Sequence, residues 1–275
     1  MFPQRFRIIR PYLASFIHYN NFQRPPAREV LRWLCQPGRE ARGAKYVLRK
    51  EIDGEFIAVY FVGHPDTPFY YPRQFAWIHL CGTADECFNP KHWHHYLANG
   101  MALDKNDVVL DCGAADGLFT FVAAPQVKKI FAIEPVPAWH SGLEKTFARF
   151  HNVEIVKTAV AHKKSEMKMT DNEVYSGIRA EGQLTIPVET IDNLFFAKGQ
   201  RVTFIKMDIE GYEFQALLGA ENTIRKNRPR LSLTLYHPTN HYTEIRDYLE
   251  QIHQDYQFKT RGIADNGNPA LLQVF

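Results

Sequence analysis

Two acidic residues and one histidine follow apolar segments in the carboxyl-terminal half of the chain. Asp208 and Glu210 come just after the apolar segment 202–207, and His237 follows the segment 230–235. Carboxylates and imidazole can take up a proton from a reacting hydroxyl, and imidazole titrates near neutral pH. Because the parallel strands of a doubly wound sheet end at one edge, we predict that these side chains meet there as catalytic groups.

A glycine-containing turn lies upstream of these residues. The apolar residues 108–110 are typical of a buried parallel strand, and Asp111, Gly113 and Gly117 follow before a helix-compatible segment. Such a turn lets the backbone approach a ligand closely. The spacing fails the dinucleotide fingerprint at two of its three glycines, and no Walker lysine follows. The order of Asp111, Gly113 and Gly117 resembles the first motif of class I S-adenosylmethionine (SAM) methyltransferases.

Glu134 and Pro135 end the next apolar segment, 130–133. Glu134 lies about 20 residues after Asp111, where a doubly wound fold places a carboxylate that binds a ribose diol. NAD sites and SAM sites share this carboxylate, so the glycine spacing distinguishes them. The sequence therefore predicts SAM as the cofactor.

Four segments together resemble the FkbM family of SAM-dependent methyltransferases. They are Asp-Cys-Gly-Ala at 111–114, Ile-Lys-Met-Asp-Ile-Glu-Gly-Tyr-Glu at 205–213, Leu-Gly-Ala at 218–220 and Leu-Tyr-His at 235–237. The resemblance covers about 106–275. It implies an α/β class I methyltransferase (Rossmann-like) fold with a doubly wound seven-stranded sheet, and O-methylation of hydroxyls on sugars, glycans or polyketides.

The resemblance also implies which residues hold the cofactor. The expected cofactor-binding residues are Asp111, Gly113, Ala114, Asp116 and Gly117 around the methionine end, Glu134 and Pro135 at the ribose, Ala159 near the adenine, and Asp208.

His237 is the predicted base for the acceptor hydroxyl, with Asp208 and Glu210 as the acidic partners of the same site. In the alternative, Asp208 takes the proton, or orients the SAM ammonium group or a metal ion, and His237 is a positioning group. The sequence predicts no metal site of its own, because Cys81, Cys87, His92 and the histidines after it match no usual zinc spacing. They are predicted to be core cysteines and surface histidines.

Residues 1–105 form a basic, aromatic-rich α+β extension ahead of the predicted methyltransferase domain, 106–275. The first 50 residues carry 11 Lys and Arg but 2 Asp and Glu, whereas the whole chain has a net charge of +3. This segment either meets an anionic partner or is a solvated arm. The aromatic residues between 69 and 93 either line a substrate pocket or pack the extension onto the domain.

The predicted secondary structure of the extension includes a hairpin around Asp53 and Gly54, a loop at 63–68 and a helix at 92–101. In the domain, a polar loop at 171–182 separates two strands, and the segments 257–263 and 270–275 form a final antiparallel pair.

The predicted function is methyl transfer from SAM to a hydroxyl of a sugar or glycan. The alternatives are O-methylation of a polyketide or other natural product, and SAM binding without catalysis. The acceptor is expected to be a small molecule or glycan with a free hydroxyl, and the basic segment suits an anionic one. Nucleic acid is disfavoured, because Asp208-Ile-Glu-Gly stands where amino-directed enzymes usually carry an Asn/Asp-Pro-Pro-Tyr/Phe motif.

The sequence also carries expectations about the location of the protein. Arg5, Arg7, Arg10 and Pro11 interrupt the apolar residues near the amino terminus, so no signal-peptide core can be drawn. No 18 apolar residues are contiguous, which argues against a spanning helix. We expect a cytoplasmic protein with reduced cysteines, and the sequence is compatible with a homo-oligomer.

Overall fold

The computed structural model describes residues 4–15, 24–169, 184–237, 239 and 242–275, so the predicted polar loop 171–182 lies outside it. The helices are α1 (Ile9–Ala14), α2 (Ala27–Cys35), α3 (Arg39–Ala44), α4 (Trp77–Phe88), α5 (Leu118–Ala123), α6 (Pro137–Phe147), α7 (Ile191–Leu194), α8 (Glu213–Leu218), α9 (Glu221–Asn227) and α10 (Tyr242–Ile252). The strands are β1 (Val47–Asp53), β2 (Phe56–Phe61), β3 (His64–Pro72), β4 (Val108–Cys112), β5 (Lys129–Ile133), β6 (Val153–Val156), β7 (Ala159–Val160), β8 (Ser165–Met169), β9 (Leu184–Glu189), β10 (Phe204–Met207), β11 (Arg230–Thr234), β12 (Phe258–Arg261) and β13 (Leu271–Val274).

The central element is a seven-stranded sheet with the order β6-β5-β4-β10-β11-β13-β12. Six strands run in one direction, and β13 pairs antiparallel with both of its neighbours. The residues of β4 are buried throughout, because helices cover both faces of a doubly wound sheet. The prediction of an α/β doubly wound sheet with seven strands is confirmed, as is the final antiparallel pair.

The register between β4 and β10 brings the two sequence motifs together. Asp111 lies opposite Lys206 and Cys112 lies opposite Met207. The residues that follow, Gly113 and Asp208, therefore lie side by side where the chain leaves the sheet. The first glycine loop and the acidic loop thus form one edge.

The extension contains a separate antiparallel sheet with the order β1-β2-β3, and the predicted hairpin is confirmed. The predicted loop at 63–68 is wrong, because it belongs to β3, which pairs with β2. Pro65 and Pro68 suggested a loop, but an edge strand tolerates prolines since one side of its backbone needs no partner.

The predicted helix at 92–101 is also wrong, since this segment is a series of turns. Trp93 and Tyr96 are both buried, but they reach different parts of the molecule. The Trp93 indole donates to Glu29 of α2 at 2.6 Å, and the Tyr96 hydroxyl donates to Asp208 at 2.8 Å. These tertiary contacts override the local helical pattern.

Several aromatic residues in the described part of the extension pack it onto the domain. Phe69 and Tyr71 of β3 and Phe75 share one core cluster with Phe121 and Trp139 of the domain, and the rings of Phe75 and Trp139 stack 3.8 Å apart. This supports the packing interpretation for these residues. No helix in the described parts of the chain is long and apolar enough to cross a membrane.

Candidate functional site

A cavity lies at the carboxyl ends of the central strands, between the loops after β4, β5, β6 and β10. Six of the predicted site residues line it, namely Gly113, Glu134, Pro135, Ala159, Asp208 and Glu210. Of the other predicted residues, Asp111, Ala114 and Gly117 belong to the loop and strand behind the cavity wall, and Asp116 faces a second cavity. The structure therefore brings the end of each predicted strand to one place.

The second cavity has a volume of about 470 Å³, which is within the usual range for ligand pockets. It shares Ala115, Trp139, Asp208 and Glu210 with the first cavity. The two acidic residues thus stand at the boundary between the cavities, where two bound molecules could meet.

Two residues at this boundary have an uncommon backbone conformation. Ala115 has a φ of 47° and Glu210 has a φ of 57°, both in the left-handed region. This region costs about 1–2 kcal/mol for a residue other than glycine. Strain of this kind is concentrated at functional sites, because the surrounding structure must hold it in place.

The Glu134 carboxylate is fixed at the end of β5. One oxygen accepts a hydrogen bond from the Ala115 amide at 2.7 Å, and the other accepts one from the Val136 amide at 2.8 Å. Glu134 is buried, which raises its pKa to about 7 in spite of these hydrogen bonds. Each carboxylate oxygen keeps acceptor capacity for a hydroxyl, so the residues present fit the ribose of SAM.

This arrangement predicts that cofactor affinity depends on pH through Glu134. Ribose hydroxyls donate to the ionised carboxylate, and that form increases as pH rises through about 7. We expect the affinity for S-adenosylhomocysteine to be about tenfold higher at pH 8 than at pH 6, as follows from the ionised fraction. Calorimetry at both pH values measures this difference in affinity. In Glu134→Gln the affinity should be lower and independent of pH, and an equal affinity of the parent at both values would contradict the assignment.

Lys206 connects the two loops from beneath the cavity. Its ammonium group lies 2.9 Å from Asp111 Oδ1 and donates to the carbonyl of Gly113 at 2.7 Å. Burial lowers the pKa of Lys206, but Asp111 and Asp208 outweigh burial and raise it. The buried ammonium group therefore stays charged and holds the glycine loop. Asp111 also accepts a hydrogen bond from Thr120 at 2.6 Å, so its role here is to position the loop.

The Asp208 carboxylate is held by three hydroxyl groups. Tyr236 donates to Oδ1 at 2.8 Å, Thr234 donates to the same oxygen at 3.1 Å, and Tyr96 donates to Oδ2 at 2.8 Å. Burial raises the pKa of Asp208, but the positive charges of Lys206 and His237 outweigh burial and hold the pKa below its usual value. Asp208 is therefore a fixed anion at the boundary of the cavities.

His237 lies behind the two acids and is 6% exposed, and it lines neither of the cavities described above. Its Nε2 lies 3.2 Å from Glu210 Oε2 and 3.9 Å from Asp208 Oδ1, and its Nδ1 lies 3.3 Å from Glu213 Oε1. Burial lowers the pKa of His237, but these carboxylates outweigh burial and raise it to about 10. The ring is therefore an imidazolium at neutral pH.

Several residues of this site were not predicted from the sequence. Lys206 and Tyr236 lie inside the quoted motifs, at 205–213 and 235–237, so their positions carried a signal. Tyr96 carried none, because it reaches the site from an element far away in the sequence. Trp139 follows Glu134 closely in the sequence but belongs to no quoted motif. Glu213 is the first residue of α8 and is fully buried against His237. A glutamate at the start of a helix is usually exposed, so its burial was not evident from the sequence.

Two groups in the described residues offer ligand atoms for a metal ion, and we assign a metal to neither. In the group of Asp208, Glu213 and His237, both ring nitrogens of the histidine already face carboxylates in ion pairs. In the group of Glu86, His92 and His94, Nδ1 of His92 already accepts the amide hydrogen of His94. His92 is buried, so its prediction as a surface histidine is wrong.

Comparison with known proteins agrees with this architecture. The methyltransferase FkbM domain family matches residues 111–259. Methyltransferase FkbM from Methylobacillus flagellatus KT is similar in structure with a TM-score of 0.53 and 21% identity, over 72% of this chain and 53% of that chain. This chain thus spans about half the length of that relative.

Two further solved structures show weaker similarity. An rRNA methylase from Streptococcus thermophilus has 14% identity and a TM-score of 0.41, over 62% of this chain and 86% of that chain. A putative methyltransferase from Streptococcus mutans in complex with SAH has 11% identity and a TM-score of 0.41, over 62% of this chain and 89% of that chain. No curated protein sequence matches significantly.

The strand order and the cavity at the strand ends define a class I methyltransferase fold. The family match extends over more than half of the chain, so the protein belongs to the FkbM methyltransferase family. SAM is the cofactor of this family, as the glycine spacing and Glu134 predicted.

Proposed function

We propose that this protein transfers the methyl group of SAM to a hydroxyl of a sugar or glycan. The observation that supports this is the position of Asp208 and Glu210, which line both the cofactor cavity and the second cavity. An acceptor hydroxyl in the second cavity meets the cofactor at these two carboxylates. O-methylation then needs a group that takes up one proton at this boundary.

The chain contributes position and charge to this reaction. SAM supplies a methyl group on a positively charged sulfur. The loops after β4 and β10 hold the acceptor oxygen in line with that methyl group, and such positioning accounts for a large part of the rate. The carboxylates at the boundary also attract the positively charged sulfur, so they favour binding of SAM over binding of its uncharged product.

The charge of His237 favours Asp208 over His237 as the base of the reaction. An imidazolium has no free lone pair, so His237 with its raised pKa is a poor proton acceptor at neutral pH. We therefore assign the proton to Asp208, and His237 becomes a positioning residue that fixes Asp208 and Glu210. A carboxylate of low pKa is sufficient, because the hydroxyl becomes strongly acidic as its oxygen gains the methyl group.

Incubation with methyl-labelled SAM tests the function. The acceptors are neutral oligosaccharides, uronic acid oligosaccharides, a hydroxylated polyketide and RNA, and the product is analysed by NMR and mass spectrometry. We expect label in an O-methyl ether of a sugar. Label in the polyketide or the RNA would replace the proposed acceptor class. Binding of S-adenosylhomocysteine without transfer to any acceptor would support the non-catalytic alternative.

A further inference from the structure

The extension supplies 11 of the 21 residues that line the second cavity. Most of them come from α2, α3, α4 and the turns after α4, and they include Trp33, Arg39, Gly82, Glu86 and His94. The opposite wall is the catalytic edge of the domain. A molecule in this cavity therefore contacts the extension and the acidic boundary at the same time.

The wall formed by the extension is rigid. The rings of Trp33 and Trp93 are stacked with centroids 4.4 Å apart and an interplanar angle of 4°. The Trp93 indole is fixed by Glu29, and the guanidinium of Arg42 is paired with the buried carboxylate of Asp85. Fixed walls lower the entropy cost of binding, which favours a ligand site over a loose packing gap.

The charges that line the cavity are mainly negative. Five carboxyl groups face two guanidinium groups. Arg42 is already paired with Asp85, and two of the carboxylates share the charge of the His237 imidazolium, so an excess of negative charge remains. The five are Glu86, Asp116, Asp208, Glu210 and Asp265. Carboxylates accept hydrogen bonds from hydroxyl groups and repel anions, and indole rings pack against apolar faces. This combination suits an uncharged molecule with many hydroxyl groups.

We propose that the extension builds the acceptor site and that the group bound there is an uncharged sugar unit. The inference rests on the proposed function and specifies where its acceptor binds. It differs from the anionic acceptor that the basic first 50 residues suggested, because the cavity itself is acidic. Arg39 and Arg42 of the extension line the cavity, but the carboxylates there outnumber them.

The test fills the cavity from the side of the extension. The three atoms nearest to a Cβ at Gly82, in α4, all belong to the side chain of Arg39, whose Cδ lies 2.9 Å away and can move. Because Gly82 and Arg39 both line the cavity, Gly82→Leu is expected to take up space at the wall formed by the extension. Gly38→Leu is the matched control, because Gly38 also lies in the extension but has nothing within 4 Å of its Cβ position.

Binding is measured by calorimetry with protein loaded with S-adenosylhomocysteine, using a neutral oligosaccharide and the corresponding uronic acid oligosaccharide as probes. We expect the parent to bind the neutral probe and to bind the acidic one at least about tenfold more weakly, a factor typical of mismatched pocket contacts. Gly82→Leu should lose the neutral probe at unchanged affinity for S-adenosylhomocysteine, and Gly38→Leu should keep both. Glu86→Gln should weaken binding of the neutral probe and reduce the discrimination against the acidic probe. Glu55 is an exposed carboxylate that does not line the cavity, so Glu55→Gln should have no effect on the binding of either probe.

Equal binding of the neutral probe by the parent and Gly82→Leu would overturn the site, and preferred binding of the acidic probe would overturn the ligand class. Failure of the proposed function is distinguishable from both. If only the proposed function fails, the parent binds the neutral probe and Gly82→Leu does not, but the parent transfers no methyl group to the probe. Absence of probe binding in a protein that methylates a sugar would place the acceptor elsewhere and also overturn the inference.

Discussion

Gly113→Ala is expected to abolish detectable SAM binding and to lower turnover by at least about 100-fold, since a misplacement of the order of 1 Å has effects of this size. Gly113 has a φ of +76°, and a Cβ at this position would lie 1.9 Å from the carbonyl oxygen of Asp208. That oxygen belongs to the backbone, so the loops after β4 and β10 must separate. Both of these loops line the cofactor cavity.

Gly199→Ala separates this effect from the backbone cost. Gly199 has a similar φ of +70°, but nothing lies within 4 Å of its Cβ position. Both variants lose about 1–2 kcal/mol for the left-handed conformation. Thermal unfolding and calorimetry with S-adenosylhomocysteine should therefore show a modest stability loss with normal binding for Gly199→Ala. If Gly113→Ala behaved in the same way, the close approach of the two loops would have no role in the cofactor site.

Asp208→Asn is expected to lower turnover by about 10²- to 10⁴-fold, the usual worth of a group that takes up the proton of a reacting hydroxyl. The amide keeps the shape of the side chain but cannot accept the proton. The change also leaves the His237 imidazolium with one anionic neighbour fewer. Single-turnover methyl transfer measures the effect apart from product release, and the loss in affinity for S-adenosylhomocysteine should be much smaller.

The pH profile identifies the base. Asp208 is ionised throughout the range from pH 6 to 8, because its pKa lies below its usual value. At a SAM concentration that saturates the enzyme at every pH, the turnover of the parent should therefore be flat in this range and fall as pH rises towards about 10, where His237 loses its proton. The fall at high pH should be absent in His237→Gln. A parent turnover that rises through a pKa near 6.5, with the rise lost in His237→Gln, would instead make His237 the base.

The sequence by itself determined the edge of the sheet at which the candidate site lies. Gly113, Glu134 and Asp208 each follow a short apolar strand, and in a parallel sheet the strand ends meet at one edge whatever the loops do. The local sequence pattern was sufficient to locate this edge, because each strand and the residue that follows it are neighbours in the sequence. The spacing of the glycines also distinguished SAM from a dinucleotide, and the family match agrees with that choice.

The sequence could not determine the charges at this edge. Imidazole has a pKa near neutrality in isolation, which made His237 the natural candidate for a base. The structure surrounds the ring with Asp208, Glu210 and Glu213, and the sum of these charges raises its pKa. Such a sum depends on distances between side chains, which no sequence pattern records.

Only the tertiary structure decided what the extension contributes. Tyr96 binds Asp208 from 112 positions away in the sequence, and Trp33 and Glu86 line the cavity beside the same acid. The local pattern at 92–101 favoured a helix, but burial of Trp93 and Tyr96 in separate places requires turns instead. Apolar periodicity reports which residues are buried along one element. Apolar periodicity does not report which distant element these residues are buried against. At this site, the contacts between distant elements place the extension beside Asp208.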